Sequence, residues 1–169
     1  ELSGGQKKVS VMVLKDTLKT LPFPDIDRYF DASVADYLLN PLKNDYPYED
    51  LAKDYAGLMI PSKTDLLGKE SPVKAKQAKP EAFLKYICYM AYIPWKTRDR
   101  LLEELNNTGM QTLYDTIELP LVYTLSDMEK EGVHVDAEEL KRYGEELAAQ
   151  IAVLEKEIYE GAGETFNIN

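Results

Sequence analysis

The sequence carries one cysteine, Cys88, and one histidine, His134. An internal disulfide framework is excluded, and a lone thiol fits a reducing compartment. A Cys/His nucleophile pair requires these two residues to meet; Cys88 lies in the apolar run "YICYMAYI", where a small buried thiol is the simpler expectation. No apolar stretch approaches the roughly 18 residues that a membrane span needs. The chain does not open on a basic region followed by an apolar core, so neither a membrane partner nor a secretory leader is expected. A cytoplasmic location is the resulting expectation. None of the nine glycines stands in a G-x-x-x-x-G-K-[ST] arrangement, which removes the backbone loop and lysine that cradle the phosphates of a bound nucleotide.

That last absence decides how to read LSGGQ, Leu2 to Gln6, the signature pentapeptide of ATP-binding-cassette ATPases. The signature works at a helix N-terminus facing a phosphate held elsewhere. Nothing in this chain holds that phosphate, and no apolar strand ending in Asp-Glu follows to bind magnesium. Ser-Gly-Gly is also ordinary turn chemistry. What the chain does have is a 44% hydrophobic composition and a formal charge of −10, which fits a folded protein with a sizeable core. From Leu121 to Asn169 twelve acidic residues face four basic ones, so the C-terminal stretch holds most of the excess. Such a surface repels nucleic acid non-specifically.

Along the chain, Val9 to Leu21 has apolar residues at 11, 14, 18 and 21, a helical spacing with Ser10 as N-cap, although "VSVMV" alone also suits a strand. "PFPD" is a breaker, and "IDRYFDASVADYLLN" reads as a second helix stopped by Asn40-Pro41. "YEDLAKDYAG" is a short helix ending at Gly57. Residues 58–80 combine prolines, glycine, serines and lysines, the composition of an exposed, mobile connector. Pro80 opens a long helix at its first position, in which Pro94 imposes a break or kink and which Gly109 ends. The pattern from Gln111 to Glu131 predicts a helix burying Leu113, Ile117, Leu121, Leu125 and Met128, bent at Pro120. Asp136 then caps a helix from Ala137 to about Glu160, with Glu139 completing a capping box. Leu140, Leu147, Ile151, Leu154 and Ile158 form a coiled-coil-like seam on it, which predicts a partner helix.

Three motifs carry a resemblance. "E-x-P-L" (Glu118 to Leu121), "M-E-x-x-G-V-x-V-D" (Met128 to Asp136) and "A-G-E-x-F-N-I-N" (Ala162 to Asn169) are similar, in order and spacing, to the start of the polymerase domain in bacterial family A DNA polymerases, the DNA polymerase I type. "FDASVADYLLNP" (Phe30 to Pro41) and "YEDLAKDY" resemble the later part of the 3′ to 5′ exonuclease domain of the same enzymes. The resemblance implies a mainly α chain with a remnant of an α/β, ribonuclease-H-like exonuclease fold over residues 1–110. The thumb-base helices of the polymerase domain then occupy 111–169, so the chain is expected to begin inside one domain and end inside the next.

Active exonucleases of this kind hold two divalent metals on carboxylates, and the resemblance places one of those in a Y-x-x-x-D motif. Here Tyr86 occupies the tyrosine position and Met90 the metal-binding one. A thioether does not replace an anionic oxygen on a hard cation. The second motif falls around "QKKVSVMV", which has no aspartate, and the strand of the first motif is not in the sequence. Asp136-Ala137-Glu138 matches D-x-E, and Tyr46 to Asp50 and Tyr123 to Asp127 match Y-x-x-x-D. A capping role, a loop position and a place beyond the junction make decoys of these three.

The expected reading is therefore a catalytically inactive, structural piece with no metal or cofactor of its own. The parent would be a DNA-directed DNA polymerase whose Mg2+ and palm carboxylates lie outside these residues and whose partner is primer-template duplex. Lys141 and Arg142 are candidate phosphate contacts, although the surrounding acidity predicts weak or no DNA binding by the chain itself. Two alternatives stay open: a metal-dependent exonuclease with unusual ligands, and a helical protein-interaction module docking through the 137–160 seam.

Overall fold

The computed structural model describes residues 8–20 and 28–168. The LSGGQ stretch, the "PFPD" breaker and Asn169 lie outside them. The described residues are mainly helical with one two-stranded parallel sheet. Strand β1 (Val9–Val11) pairs with β2 (Tyr29–Asp31) in the register Val9 to Tyr29, Ser10 to Phe30 and Val11 to Asp31. Helix α1 (Leu14–Thr20) stands between them in sequence. Two expectations are corrected here. Val9 to Val11 is strand, not the start of a helix, so Ser10 is a ladder residue and not a cap; Tyr29 to Asp31 is likewise strand. Valine-rich and aromatic triplets of this kind suit the pleated ladder, and a three-residue pairing leaves no periodicity for sequence inspection to find.

Helix α2 (Ala32–Leu39) begins at Asp31, whose carboxylate accepts from the Val34 N–H, and ends at Asn40 as expected. Helix α3 (Tyr48–Ala56) ends at Gly57, whose φ of 66° is the left-handed conformation that glycine tolerates. Residues 58–80, expected to be a connector, instead hold two short helices, α4 (Lys63–Leu67) and α5 (Pro72–Ala78). A reciprocal capping box joins Ser62 and Asp65, and Ser71 caps α5. Leu67 and Ala75 are fully buried, so one apolar side chain per helix anchors each against α6 (Pro80–Asn107). The proline, serine and lysine content that suggested a linker is cap and outer-face chemistry.

Helix α6 runs for 28 residues through Pro94 without a break. Pro94 is buried on the core side with Ile93, Thr97, Leu101 and Leu105. Its missing N–H leaves the Met90 carbonyl without a helical donor. Thr97, buried on the same face, satisfies its own hydroxyl by donating it to the Ile93 carbonyl at 2.9 Å. Cys88, expected to be buried, is exposed, because it projects from the opposite side of this helix.

Residues 111–131 are helical throughout, as α7 (Gln111–Leu113), a π-helical turn (Tyr114–Glu118) and α8 (Leu119–Glu131). The buried face is not the expected one. Tyr114, Leu119, Val122 and Ser126 are buried, whereas Ile117, Leu121, Leu125 and Met128 are exposed and Leu113 is half-buried. The Leu119 N–H donates to the Tyr114 carbonyl, so one extra residue enters that turn and rotates every later side chain. Pro120, which has no N–H to give, follows immediately. The core of this unit joins Met12, Leu14, Phe30, Leu51, Ile93, Leu101, Tyr114 and Leu119 with smaller neighbours.

The chain forms two compact units, residues 1–131 and 132–169. Helix α8 belongs to the first of these units: it packs on α1, and Lys15 and Lys19 both pair with Glu129, at 2.7 and 3.4 Å. In the second unit, α9 (Ala137–Ala162) is capped by Asp136, which accepts from the Glu139 N–H at 3.0 Å. The reciprocal half of the expected capping box is absent, because the Glu139 carboxylate pairs with Arg142 instead. The five seam residues are all exposed. After α9, Gly163 turns the chain at φ 73°, and Tyr159 donates its hydroxyl to the Phe166 carbonyl at 3.0 Å.

A packed 58–80 segment makes a stability prediction. Leu67→Ala is expected to lower the unfolding free energy of the full chain by about 2–5 kcal/mol in chemical denaturation, the usual range for emptying a buried leucine site. A neutral outcome would return the segment to the status of a linker.

Candidate functional site

Of the residues singled out by sequence, Met90 lines a groove of about 500 Å³ between β1, the start of α1 and the middle of α6. Met90 lines it together with Ile87 and Ala91 from α6, and Val11, Met12 and Val13 from the β1–α1 turn. The one carboxylate in the lining is Asp16, and its Oδ1 accepts from Lys19 Nζ at 2.9 Å. Lys19 is held above the usual lysine range by Asp16 first and Glu129 second. Among the described residues no group of three His, Cys, Asp or Glu side chains is placed to hold a metal ion. The groove can receive an apolar group; it offers a hard cation one carboxylate that already has a partner.

Tyr86 points away from this chemistry. It is half-buried, packs edge-on against Tyr48 with ring centroids 5.9 Å apart, and its phenol is pushed up by burial and then by Glu49. Tyr48 also stacks on Tyr89 at 5.7 Å and donates its hydroxyl to the Pro61 carbonyl at 2.7 Å. Tyr86 is therefore part of the aromatic contact between α3 and α6. Of the decoys, Tyr46 donates to the Asn40 carbonyl at 2.8 Å, and Asp136 caps α9.

Two buried aspartates that sequence reasoning passed over hold the groove's surroundings. Asp31 is 1% exposed. Its Oδ2 accepts from the Leu14 N–H at 2.7 Å and its Oδ1 from the Val34 N–H at 3.0 Å, so one carboxylate sits at the N-termini of both α1 and α2. Burial pushes its carboxyl up to about 6 against the pull of those N–H groups. Asp36 is fully buried and accepts from Asn40 Nδ2 at 2.7 Å and from the Tyr55 hydroxyl at 2.8 Å. Lys43 approaches it at 3.5 Å and Asp54 at 3.0 Å. This network pins the loop between α2 and α3, and burial followed by Asp36 drives the Tyr55 phenol well above its usual range. The signal for Asp31 was present as D-x-x-V after an apolar pair, a cap pattern that a continuous helical reading of 26–40 hid.

Lys141 and Arg142 lie on the first turns of α9, both exposed. Arg142 Nη1 bonds Glu146 at 2.9 Å, and its Nε and Nη2 both reach Glu139. A phosphate would have to compete with these carboxylates for the guanidinium; exposed pairs of this kind are weak. Lys141 has no ion pair among the described residues.

No family model matches the chain. It is similar to DNA polymerase I of Bacillus subtilis, 37% identical over 142 residues, covering 83% of this chain and 16% of the relative. It is 32% identical to DNA polymerase I of Geobacillus stearothermophilus over the same shares of both chains. With DNA polymerase I of Caldicellulosiruptor bescii the identity is 34%, covering 82% of this chain and 14% of the relative. The chain thus spans about a sixth of the length of the curated relatives it matches. Among the described residues no helix is long and apolar enough to cross a membrane.

The raised Asp31 carboxyl ties stability to pH. The unfolded chain releases this proton near 3.9 and the folded chain near 6, so the proton favours folding. Its contribution is complete below about pH 4, is lost as pH rises to about 6 and amounts to about 3 kcal/mol at most. Subtracting the pH profile of Asp31→Asn from that of the parent chain in urea denaturation should isolate this slope. Parallel profiles would show that the carboxyl titrates normally. The variant is also expected to lose roughly 1–3 kcal/mol at every pH, because an amide cannot accept both N–H groups as a carboxylate does.

Proposed function

With homology to bacterial DNA polymerase I over 83% of its length as the premise, we propose that this chain is a supporting piece of a template-directed DNA polymerase. It joins a vestigial 3′ to 5′ exonuclease-like domain to the first helices of the polymerase domain. In this reading β1, β2 and the helices around them are what remains of a ribonuclease-H-like fold, and residues beyond 111 lead toward the thumb. The parent enzyme copies a DNA template in replication and repair in the bacterial cytoplasm. Its Mg2+ is held by carboxylates outside this chain. By itself the chain has neither polymerase nor nuclease activity.

The observation that carries the reading is the composition of the Met90 groove. Two-metal phosphodiester cleavage needs several carboxylates converging on ions a few ångströms apart, so that attacking and leaving oxygens are both clamped. At the position of the resemblance's metal ligand stands a thioether. The turn facing it contributes Met12 and Val13, and Asp16 is tied to Lys19. These residues would give Mg2+ a ligand set too small and too apolar for its octahedral oxygen preference.

Duplex DNA is the parent's partner, and Lys141 and Arg142 are the phosphate contacts this piece could add. Their surroundings keep binding by the chain alone weak, because the stretch from Leu121 onward is strongly acidic. A second reading, a helical interaction module, is favoured by one observation: the apolar seam of α9 is exposed along its length. A monomeric mass by sedimentation, with seam amides that do not shift in NMR on raising the concentration, would exclude self-docking through it.

The nuclease half of the proposal is tested with manganese and a short oligonucleotide bearing a free 3′ end. No nucleotide is expected to be released, and titrated Mn2+ should cause no saturable broadening of the Met90 methyl or Asp16 signals. Released mononucleotide, or two tightly bound ions, overturns the reading.

A further inference from the structure

We propose that two copies of this chain associate reciprocally, each laying the apolar seam of its α9 on an exposed stripe of α6 in the other copy. The inference extends the second reading above, and its failure leaves the supporting role of the chain in a DNA polymerase untouched.

Helix α6 carries apolar residues on more than one side. Ile93, Leu101 and Leu105 are buried in the core, whereas Leu84, Cys88, Tyr92 and Trp95 leave a different side of the helix at intervals of four, four and three residues. Leu84, Tyr92 and Trp95 are 58%, 44% and 65% exposed, and Cys88 is exposed as well. The Tyr92 and Trp95 rings lie 5.7 Å apart, so the stripe ends in an aromatic pair. A continuous row of this kind differs from the single apolar residues scattered over any surface. On α9, Leu147, Ile151, Leu154 and Ile158 form an exposed row in the same way. Leu84 to Trp95 and Leu147 to Ile158 each advance eleven residues along their helix, about 16 Å at the α-helical rise. The two rows therefore match in length.

Charge makes a second copy the fitting partner. Between Glu81 and Asp99, α6 carries Lys85, Lys96 and Arg98 and no acid. Between Arg142 and Lys156, α9 carries Glu145, Glu146 and Glu155 and no cation. Lys85 and Lys96 are exposed and make no ion pair among the described residues. Two α9 helices facing each other would set acid against acid over this stretch, which opposes the apolar contact. The α6 stripe offers an apolar row of equal length with the opposite charge beside it, so pairing α9 with α6 serves both terms. In a closed pair of identical chains the contact is made twice, and neither row is left uncovered.

Trp95 is the one tryptophan of the chain, so the parent protein reports on the contact without substitution. Sedimentation equilibrium from micromolar to near-millimolar chain is expected to show a monomer and a dimer in exchange. Over the same range the Trp95 emission should shift to the blue, and alkylation of Cys88, the one thiol, should slow. Added sodium chloride should weaken the dimer several-fold, because the charges beside the rows are open to screening. Leu84→Gln and Ile151→Gln, at exposed positions on the two rows, should each weaken it about tenfold or more, the effect of returning an apolar side chain to water. Each variant alone carries its lesion in both contacts. Mixing the two variants gathers both lesions into one contact and leaves the other intact, so the mixture should dimerise more tightly than either variant by itself. If Ile151→Gln loses helix by circular dichroism, Leu84→Gln with the Trp95 and Cys88 signals decides. A monomer at every concentration, a Trp95 emission that does not follow the mass, or a dimer that Leu84→Gln leaves unchanged would each overturn the proposal.

Discussion

Asp31 ends β2 with its carboxylate turned into the core, where it accepts from the first N–H of α1 and from the third residue of α2, at 2.7 and 3.0 Å. Two helix N-termini, each with unsatisfied donors and a positive dipole end, share one carboxylate acceptor. The same residue's N–H donates to the Tyr114 hydroxyl at 2.8 Å, and that hydroxyl lies 3.3 Å from the Asp31 carbonyl. Tyr114 comes from the π-helical turn, and its ring packs on Phe30 with centroids 5.6 Å apart. The strand ladder, both helices that flank it and the 111–131 helix are therefore fixed to one residue. Its burial is unfavourable to the charge, and its ring of donors is favourable to it, so the node is held by a balance between desolvation and hydrogen bonding.

The Met90 groove inherits its shape from that node. Because the Leu14 N–H is tied to Asp31, the chain must turn at Met12 and Val13 to pass from β1 into α1, and this turn faces the middle of α6. Met90 occupies the facing position, one turn before a proline that leaves its carbonyl without a helical donor. A flexible, polarizable thioether fills an irregular gap of this kind well. An aspartate there would exchange that packing for a charge set beside Val11, Met12, Val13 and Ile87, with Lys19 already engaged by Asp16. The apolar character extends over the whole groove, so the position and its surroundings form one consistent packing solution.

Much of this was legible from residue order. The caps at Asn40, Gly57, Gly109 and Gly132, the first-turn Pro80 and the course of α9 are local signals, and local signals survive folding. Three features were not legible, each because its cause is non-local or breaks a period. Both strands are three residues long, and Asp31 caps α2 from the end of a strand that a helical reading absorbed. The face of α8 was misassigned because a π turn shifts the phase by one residue, and apolar residues occur on both faces of that helix. The 58–80 stretch looked like a linker because its buried contacts amount to Leu67 and Ala75, too few to make a periodic pattern. Of the groove, Met90 was singled out by its place in the Y-x-x-x-D resemblance; its neighbours Met12, Val13 and Asp16 were not, since only the β1 pairing brings them opposite α6.

The two compact units differ in what maintains them. Residues 1–131 rest on a core with buried polar nodes at Asp31 and Asp36. In the second unit α9 has no buried residue, so its 26-residue helix is supported by local terms: the Asp136 cap, the Arg142 pairs one turn in either direction, and the Gly163 reversal closed by Tyr159 on Phe166. Each such term is worth about 1 kcal/mol or less, and helices in proteins draw most of their stability from burying an amphipathic face. A strict apolar seam, exposed along its length, thus lies on a helix that owes its order to caps and ion pairs.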